Sequence, residues 1–438
     1  MDIRLDPFRL KKLPLSKKLR NRRDENQDVN NWEWLGRTDW KKASSEWQIF
    51  NSRWRSASTE WPDDVVDGRL IFSRPKANLD EVLIVRDEYP TLFEQIFFWG
   101  FRRSRSGVVI TGQPGVGKTL FQYYCLARLL REKQIVLISL DGISIYLFYF
   151  DEVYIAHLVD VENLNYPRAR KHEFIWLLVD TETQGIEPSP RLLDAKFPVQ
   201  SSSLNPDAYQ SWTQKRDVRF FCMDIWTREE LEIGLRYHHE YDELIRALRA
   251  AYDTTAQISV NDSKTSQEFL RFIESPENII MAYPEIGNFL YRLQAERINK
   301  GNVSEEMSSK KVISALLDNA TYRFGYVPRD VFQGVFYPET LFHVVETALG
   351  SQTSWEGLQK AVSSLLAGEV VPEVYHSLIV QKPCRLVMNP DPQFFLFRPA
   401  KWTFQFKSQW VAEELLRKIG SVGQDRADTH WWHTFVAG

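Results

Sequence analysis

One octapeptide narrows the folds open to this chain more than any other feature: Gly-Gln-Pro-Gly-Val-Gly-Lys-Thr, residues 112–119. It satisfies the pattern GxxxxGK[ST] through Gly112, Gly117, Lys118 and Thr119, with Gln113, Pro114, Gly115 and Val116 inside the loop. Upstream, Gly-Val-Val-Ile-Thr (107–111) is a β-branched apolar run that reads as a buried strand. Downstream, residues 120–133 bring Leu120, Tyr124, Ala127 and Leu130 near one helical face. A strand, a glycine-rich loop and a helix in that order make a cradle for phosphate. The glycines let backbone N–H groups turn inward, and the helix adds its positive end. Lys118 is expected on the β- and γ-phosphates and the Thr119 hydroxyl on Mg²⁺. The expected ligand is therefore ATP or another nucleoside triphosphate with Mg²⁺.

Such a site needs an acid to hold the metal, on a strand beside the loop, and two stretches offer one. Residues 146–152 end in Asp151-Glu152, and residues 174–182 carry Asp180 and Glu182. The first stretch follows the apolar run 134–140 after only Asp141-Gly142, a turn signal. Parallel neighbours need a crossover of about a dozen residues or more, so 143–159 reads as a hairpin with Asp151-Glu152 at its turn. The interval before residue 174 is long enough to cross the sheet. Asp180 is thus the expected metal carboxylate. Glu182, two residues on, is either the group that orients an attacking water or an ordinary loop glutamate. Hydrolysis that depends on so displaced a glutamate is expected to be slow.

Composition removes other classes. Net charge is −3 and 43% of residues are hydrophobic, which fits neither a disordered chain nor a globally basic nucleic-acid coat. Cys125, Cys222 and Cys384 form no CxxC pair and no Cys/His cluster, arguing for a reducing compartment and against a structural zinc. The N-terminus lacks the apolar core of a secretory signal and no window suits a membrane span. An intracellular protein of the cytoplasm or nucleus, with no membrane partner, is the expectation. The basic cluster Lys17, Lys18, Arg20, Arg22, Arg23 reads as a solvated tail or as a patch for nuclear import or an acidic partner.

Four further pieces flank the loop in a telling order. Leu-Ile-Val-Arg-Asp-Glu-Tyr (83–89) precedes it, Phe-Pro-Val-Gln-Ser-Ser-Ser (197–203) follows Asp180, then come residues 218–231 and Phe-Gly-Tyr-Val-Pro-Arg-Asp-Val-Phe (324–332). Thr227 with Glu230 also makes a capping box, a purely structural reason for those residues. In this order the pieces resemble STAND and AAA+ ATPases, and specifically the P-loop NTPase module of Crinkler and retrotransposon-hot-spot-type proteins, over roughly residues 68–415. The resemblance implies an α/β core with a parallel sheet between helices, Arg86 near the nucleotide, Ser201 or Ser202 sensing the γ-phosphate, and Arg329 directed at it. A bland alternative makes Arg329 an exposed arginine on a proline-initiated helix. Members of that family often carry a nuclease or kinase-like domain. Residues 336–438 hold Asp391 but no Glu-x-Lys at usable spacing for a nuclease, so an effector activity here is doubtful.

Residues 1–66 read as a basic, tryptophan-rich segment, 67–240 as the NTPase core, 241–335 as a helical lid, and 336–438 as a small α/β C-terminal domain. Trp40, Trp47, Trp54 and Trp61 recur every seven residues, one stripe of a helix ended by Pro62. That stripe packs on the core, docks a protein partner, or stacks single-stranded bases between Arg53 and Arg55. His376 reads as structural. Nucleic acid as a partner, through Arg168, Arg170, Lys171 or Lys17–Arg23, and oligomerisation both stay open. So do two rivals: a nucleic-acid-dependent ATPase assisting a nuclease, and a non-hydrolysing nucleotide-binding scaffold.

Overall fold

The computed structural model describes residues 40–56, 65–66, 69–73, 82–102, 106–159, 175–181, 188, 190–193, 196–202, 208–242, 244–245, 305–351, 357, 360–361, 363–364, 373–383 and 402–420. Glu182, Arg168, Arg170, Lys171, Cys384, Asp391, the cluster Lys17–Arg23, and Trp32, Trp34 and Trp61 lie outside them.

The apolar runs became strands because each can be buried on both faces. Five are parallel, in lateral order β6 (Ile135–Ser139), β9 (Ile175–Asp180), β10 (Phe197–Ser201), β5 (Gly107–Thr111) and β11 (Val218–Cys222). Every residue of β5, β9 and β10 is buried, as expected for parallel strands covered on both sides. Alternate residues feed different cores. Val108, Ile110, Trp176 and Leu178 join one cluster and Val109, Leu177 and Val179 the other.

The stretch 143–157 forms the expected hairpin. β7 (Ser144–Tyr149) pairs antiparallel with both β6 and β8 (Glu152–His157), and the two-residue β1 (Lys41–Lys42) closes that edge. Asp141 makes the tight link by accepting the N–H groups of Ile143 and Ser144 at 3.0 and 2.8 Å. Asp151 lies exposed at the hairpin turn, beyond the amino end of β6 and opposite the carboxyl ends of the parallel strands.

One expectation is corrected. The acid-bearing strand is not the immediate neighbour of the loop strand, because β10 lies between β9 and β5. The consequence is geometric: β5 and β10 become the place where consecutive connections diverge in direction, and open α/β sheets bind ligands at that switch point.

The tryptophan spacing is only partly helical. Helix α1 (Ser45–Ser56) buries Trp47, Phe50 and Trp54 against the sheet and its neighbours, with the Trp47 ring 4.3 Å from that of Tyr146. Trp40 precedes the helix and belongs to the cluster on the other face. A fully buried aromatic contributes about 1.5–3 kcal/mol through its area alone. Trp40, Trp47 and Trp54 are therefore spent on the chain's own core.

Around the sheet run α2 (Glu88–Arg102), α3 (Lys118–Arg131) and α4 (Arg228–Arg236). Thr227 caps α4 in a complete capping box with Glu230. A second body packs beyond α4: α5 (Glu305–Phe324), α6 (Pro328–Phe336), α7 (Pro338–Ser351), the strand pair β12 (Ile379–Pro383) and β13 (Trp402–Phe406), and α8 (Gln409–Gly420). One hydrophobic cluster runs from Trp226 through α5, α6 and α7 to Phe406 and Leu415. The residues expected as lid and as C-terminal domain thus share a core among the described residues. A further three-stranded antiparallel sheet joins β2 (Val65–Val66), β3 (Arg69–Ser73) and β4 (Val82–Ile84). No described helix is long and apolar enough to cross a membrane.

Candidate functional site

The site forms where β5 ends. Its loop turns into α3 through Gly117, whose φ of 105° suits a residue without Cβ at the helix N-cap. Gly115, at φ 85°, is glycine for a second reason: a Cβ there would stand 2.7 Å from the Cβ of Arg329. The first turn of α3 then carries Lys118 and Thr119, the two residues whose side chains the chemistry requires.

Lys118 is almost fully buried, and its ammonium donates to the carbonyls of Gly112 and Gln113, both at 2.9 Å. A buried cation needs acceptors, and here the loop itself supplies them. Thr119 Oγ1 donates to Asp180 Oδ2, so the two expected metal ligands meet although β10 lies between β9 and the loop strand β5. Gln122 explains how. Its Nε2 donates to the carbonyls of Val179 (3.3 Å) and Val199 (3.0 Å) and to Ser201 Oγ (2.8 Å). That amide pins α3 across the ends of β9 and β10, and Thr119 lies three residues earlier on the same face. Sequence reasoning missed Gln122; its spacing from Thr119 was the available signal.

The two serine candidates separate. Ser201 Oγ is engaged with Gln122 and with the Lys118 carbonyl, whereas Ser202 Oγ is buried with no hydrogen-bond partner. An orphaned hydroxyl beside the loop is the kind of group a phosphate oxygen would satisfy.

Arg86 lies beside Tyr89 and Trp226, the two rings that bond the loop, with its guanidinium 6.0 and 5.6 Å from them. Its five N–H groups all meet protein acceptors: Glu88, the Glu230 carboxylate, and the carbonyls of Asp224 (2.9 Å) and Ile225 (3.0 Å). Burial disfavours its charge, but Glu88 and Glu230 beside it more than compensate and hold its pKa above the usual value. Glu230 also accepts the N–H of Thr227 at 2.9 Å and that of Asp87 at 3.3 Å. One carboxylate therefore caps α4 and anchors the segment before α2.

The second body and the turn before α4 reach the loop at three points. Gln113 Nε2 donates to the Ile379 carbonyl in β12 (2.7 Å), and Trp226 Nε1 to the Val116 carbonyl (2.9 Å). Arg329, at the start of α6, is exposed and lies over Gly115. Its neighbour Asp330 pairs with Lys407 at 2.7 Å, both largely buried, which fixes the start of α6 to the end of β13. Tyr89 adds a contact from α2, donating to the Gly117 carbonyl at 3.0 Å. The structure thus brings Gly112–Thr119, Asp180 and Arg329 together, sets Ser202 at the end of β10 with its N–H on the Ile110 carbonyl, and holds Arg86 in a buried network beside Tyr89 and Trp226.

The arrangement defines an α/β protein with a P-loop-like strand–loop–helix at the switch point of a parallel sheet. No family model matches the chain. Two proteins of Phytophthora infestans, Crinkler effector protein 15 and Crinkler effector protein 16, are each 29% identical to it over 163 residues, 36% of this chain. The match spans only a quarter of their length, 25%. Two solved structures of Thermotoga maritima RuvB variants overlay at TM-scores of 0.27 and 0.25, with 9% and 10% identity. They cover 65% and 64% of this chain and 85% and 82% of theirs. The fold assignment rests on the strand order itself.

Proposed function

We propose that this chain is an intracellular P-loop NTPase of the STAND/AAA+ type that binds Mg·ATP and works as a slow, nucleotide-controlled switch. The observation that carries the reading is the meeting of Thr119 and Asp180 beside Lys118 at the carboxyl ends of the parallel strands. The donor set suits the ligand: a hydroxyl and a carboxylate are hard oxygens for Mg²⁺, and a loop ammonium with inward N–H groups suits phosphates.

Gly112, Gln113, Pro114, Gly115, Val116 and Gly117 would wrap the phosphates. Lys118 would exchange its loop carbonyls for phosphate oxygens, and Thr119 and Asp180 would hold the metal. When bound, Mg²⁺ offsets charge on the β- and γ-phosphates and so favours attack at phosphorus. Arg329, which lies over Gly115, would add positive charge from the second body. Glu182 keeps the role of orienting water as a proposal. What supports a switch over a metabolic enzyme is the wiring of the loop. Its Gln113 side chain and Val116 carbonyl are bonded to β12 and Trp226, so a loop that rearranges around phosphate must move or strain the second body.

The test is equilibrium binding of a fluorescent ATP analogue, with and without Mg²⁺, beside a phosphate-release assay. Lys118→Ala should abolish binding; unchanged affinity in that variant removes the assignment. Tight binding without phosphate release would leave a nucleotide-binding scaffold, and release stimulated by DNA or RNA and lost with salt would point to a nucleic-acid partner.

A further inference from the structure

Directly after α4 the chain reads Tyr-His-His-Glu-Tyr, residues 237–241. The helix ends at this point with Tyr237 as its C-cap, and the turn that follows folds three ligand-type side chains toward one spot. One donor atom each from His238, His239 and Glu240 lies within 4.8 Å of the others.

Three features distinguish this triple from residues that merely share a turn. Glu240 Oε2 is buried and has no hydrogen-bond partner, standing 3.7 Å from Nδ1 of His238. Its other oxygen, Oε1, is held by the Tyr337 hydroxyl, so the carboxylate is oriented from α6. The His238 ring is sandwiched, 4.6 Å from the Phe336 ring at an interplanar angle of 20° and 4.3 Å from the His239 ring. A carboxylate turned by one outer partner, with its free oxygen shielded from water and an imidazole fixed alongside, is how protein metal sites are built. The Glu240 N–H donates weakly to His238 Nδ1, at 3.3 Å, and a cation on that nitrogen replaces this contact.

Two imidazoles and one carboxylate are the donors of a borderline divalent cation, zinc first, and not of Mg²⁺ or Ca²⁺. We propose that His238, His239 and Glu240 form a zinc-type metal site that fastens the end of α4 to the end of α6. It contains no cysteine, which is why the cysteine spacing gave no sign of it. His239 is exposed, so a cation enters from solvent and a water completes the coordination. Because α6 starts at Pro328 beside the loop and ends at Phe336 beside the cluster, the metal would brace the helix that carries Arg329. The site stands independently of any nucleotide.

The experiment is titration of the chelator-treated full chain with Zn²⁺ against a chromophoric competitor, with Mg²⁺ as the control, followed by thermal melting. One equivalent of Zn²⁺ should bind and raise the melting temperature, and Mg²⁺ should do neither. His239→Ala changes an exposed side chain, and it and Glu240→Gln should each lose that equivalent while keeping the fold by circular dichroism. Tyr337→Phe should weaken binding by about tenfold or more. Co²⁺ in place of Zn²⁺ should give a visible spectrum without a thiolate charge-transfer band. Absence of a bound equivalent, equal binding by His239→Ala, or a thiolate band would each overturn the proposal.

Discussion

Arg86→Met tests the boundary between the buried network and the nucleotide site. Arg86 is 2% exposed and gives all five donors to protein. Removing the guanidinium orphans the carbonyls of Asp224 and Ile225. It also leaves Glu230, itself 2% exposed, as a buried carboxylate without its cation. Breaking one side of a buried ion pair costs about 3–5 kcal/mol, a fifth or more of the ~5–15 kcal/mol that holds a typical domain together. Urea unfolding followed by tryptophan fluorescence should show that loss, while the protein that stays folded keeps its affinity for ATP. The double variant Arg86→Met with Glu230→Gln should recover part of the stability, because no uncompensated charge remains. The reasoning fails if Arg86→Met unfolds within about 1 kcal/mol of the parent yet binds ATP far more weakly. Arg86 would then face the nucleotide, as the family resemblance implies.

Four shorter tests follow from other contacts. Asp180→Ala should stop phosphate release while Asp151→Ala, at an exposed hairpin turn, leaves it intact; the reverse result would overturn the choice of metal carboxylate. Gly115→Ala forces a Cβ into the left-handed region at about 1–2 kcal/mol and against Arg329, so ATP affinity should fall in a direct binding assay. Gln113→Leu removes the bond to the Ile379 carbonyl, and an orphaned buried acceptor costs about 1–3 kcal/mol. Limited proteolysis should cut earlier around β12 in that variant. Burial pushes the Cys125 thiol well above its usual range and that of Cys222 up to about 12, so mass spectrometry after iodoacetamide at neutral pH should find both unmodified until the chain unfolds.

Much of the core was legible because its signals are local. The strand 107–111, the glycines and the helix after them are set by burial and backbone conformation over a short span. The link Asp141-Gly142 was readable as a turn for the same reason. Lateral strand order was not legible, since nothing in 174–180 or 197–201 states which strand lies beside β5. Arg86 shows a second limit: its partners lie at 224–230, and only the folded chain tells a buried ion-pair hub from a ligand-binding arginine. The tryptophan spacing shows a third. Its period of seven is real, but Trp40 and Trp47 serve opposite faces of the sheet, so one sequence regularity spans two structural tasks.

The bond between Gln113 and Ile379 also bears on how the protein is made. The octapeptide is short, yet the amide inside it finds its acceptor 266 residues later. At ~5–20 residues per second, roughly 13–53 s of synthesis separate the two. Until then the nascent loop carries an unmet donor, and the earlier helices and strands assemble around it. A ribosome that stalls in this interval would release a fragment whose phosphate loop reads correctly but is not yet finished.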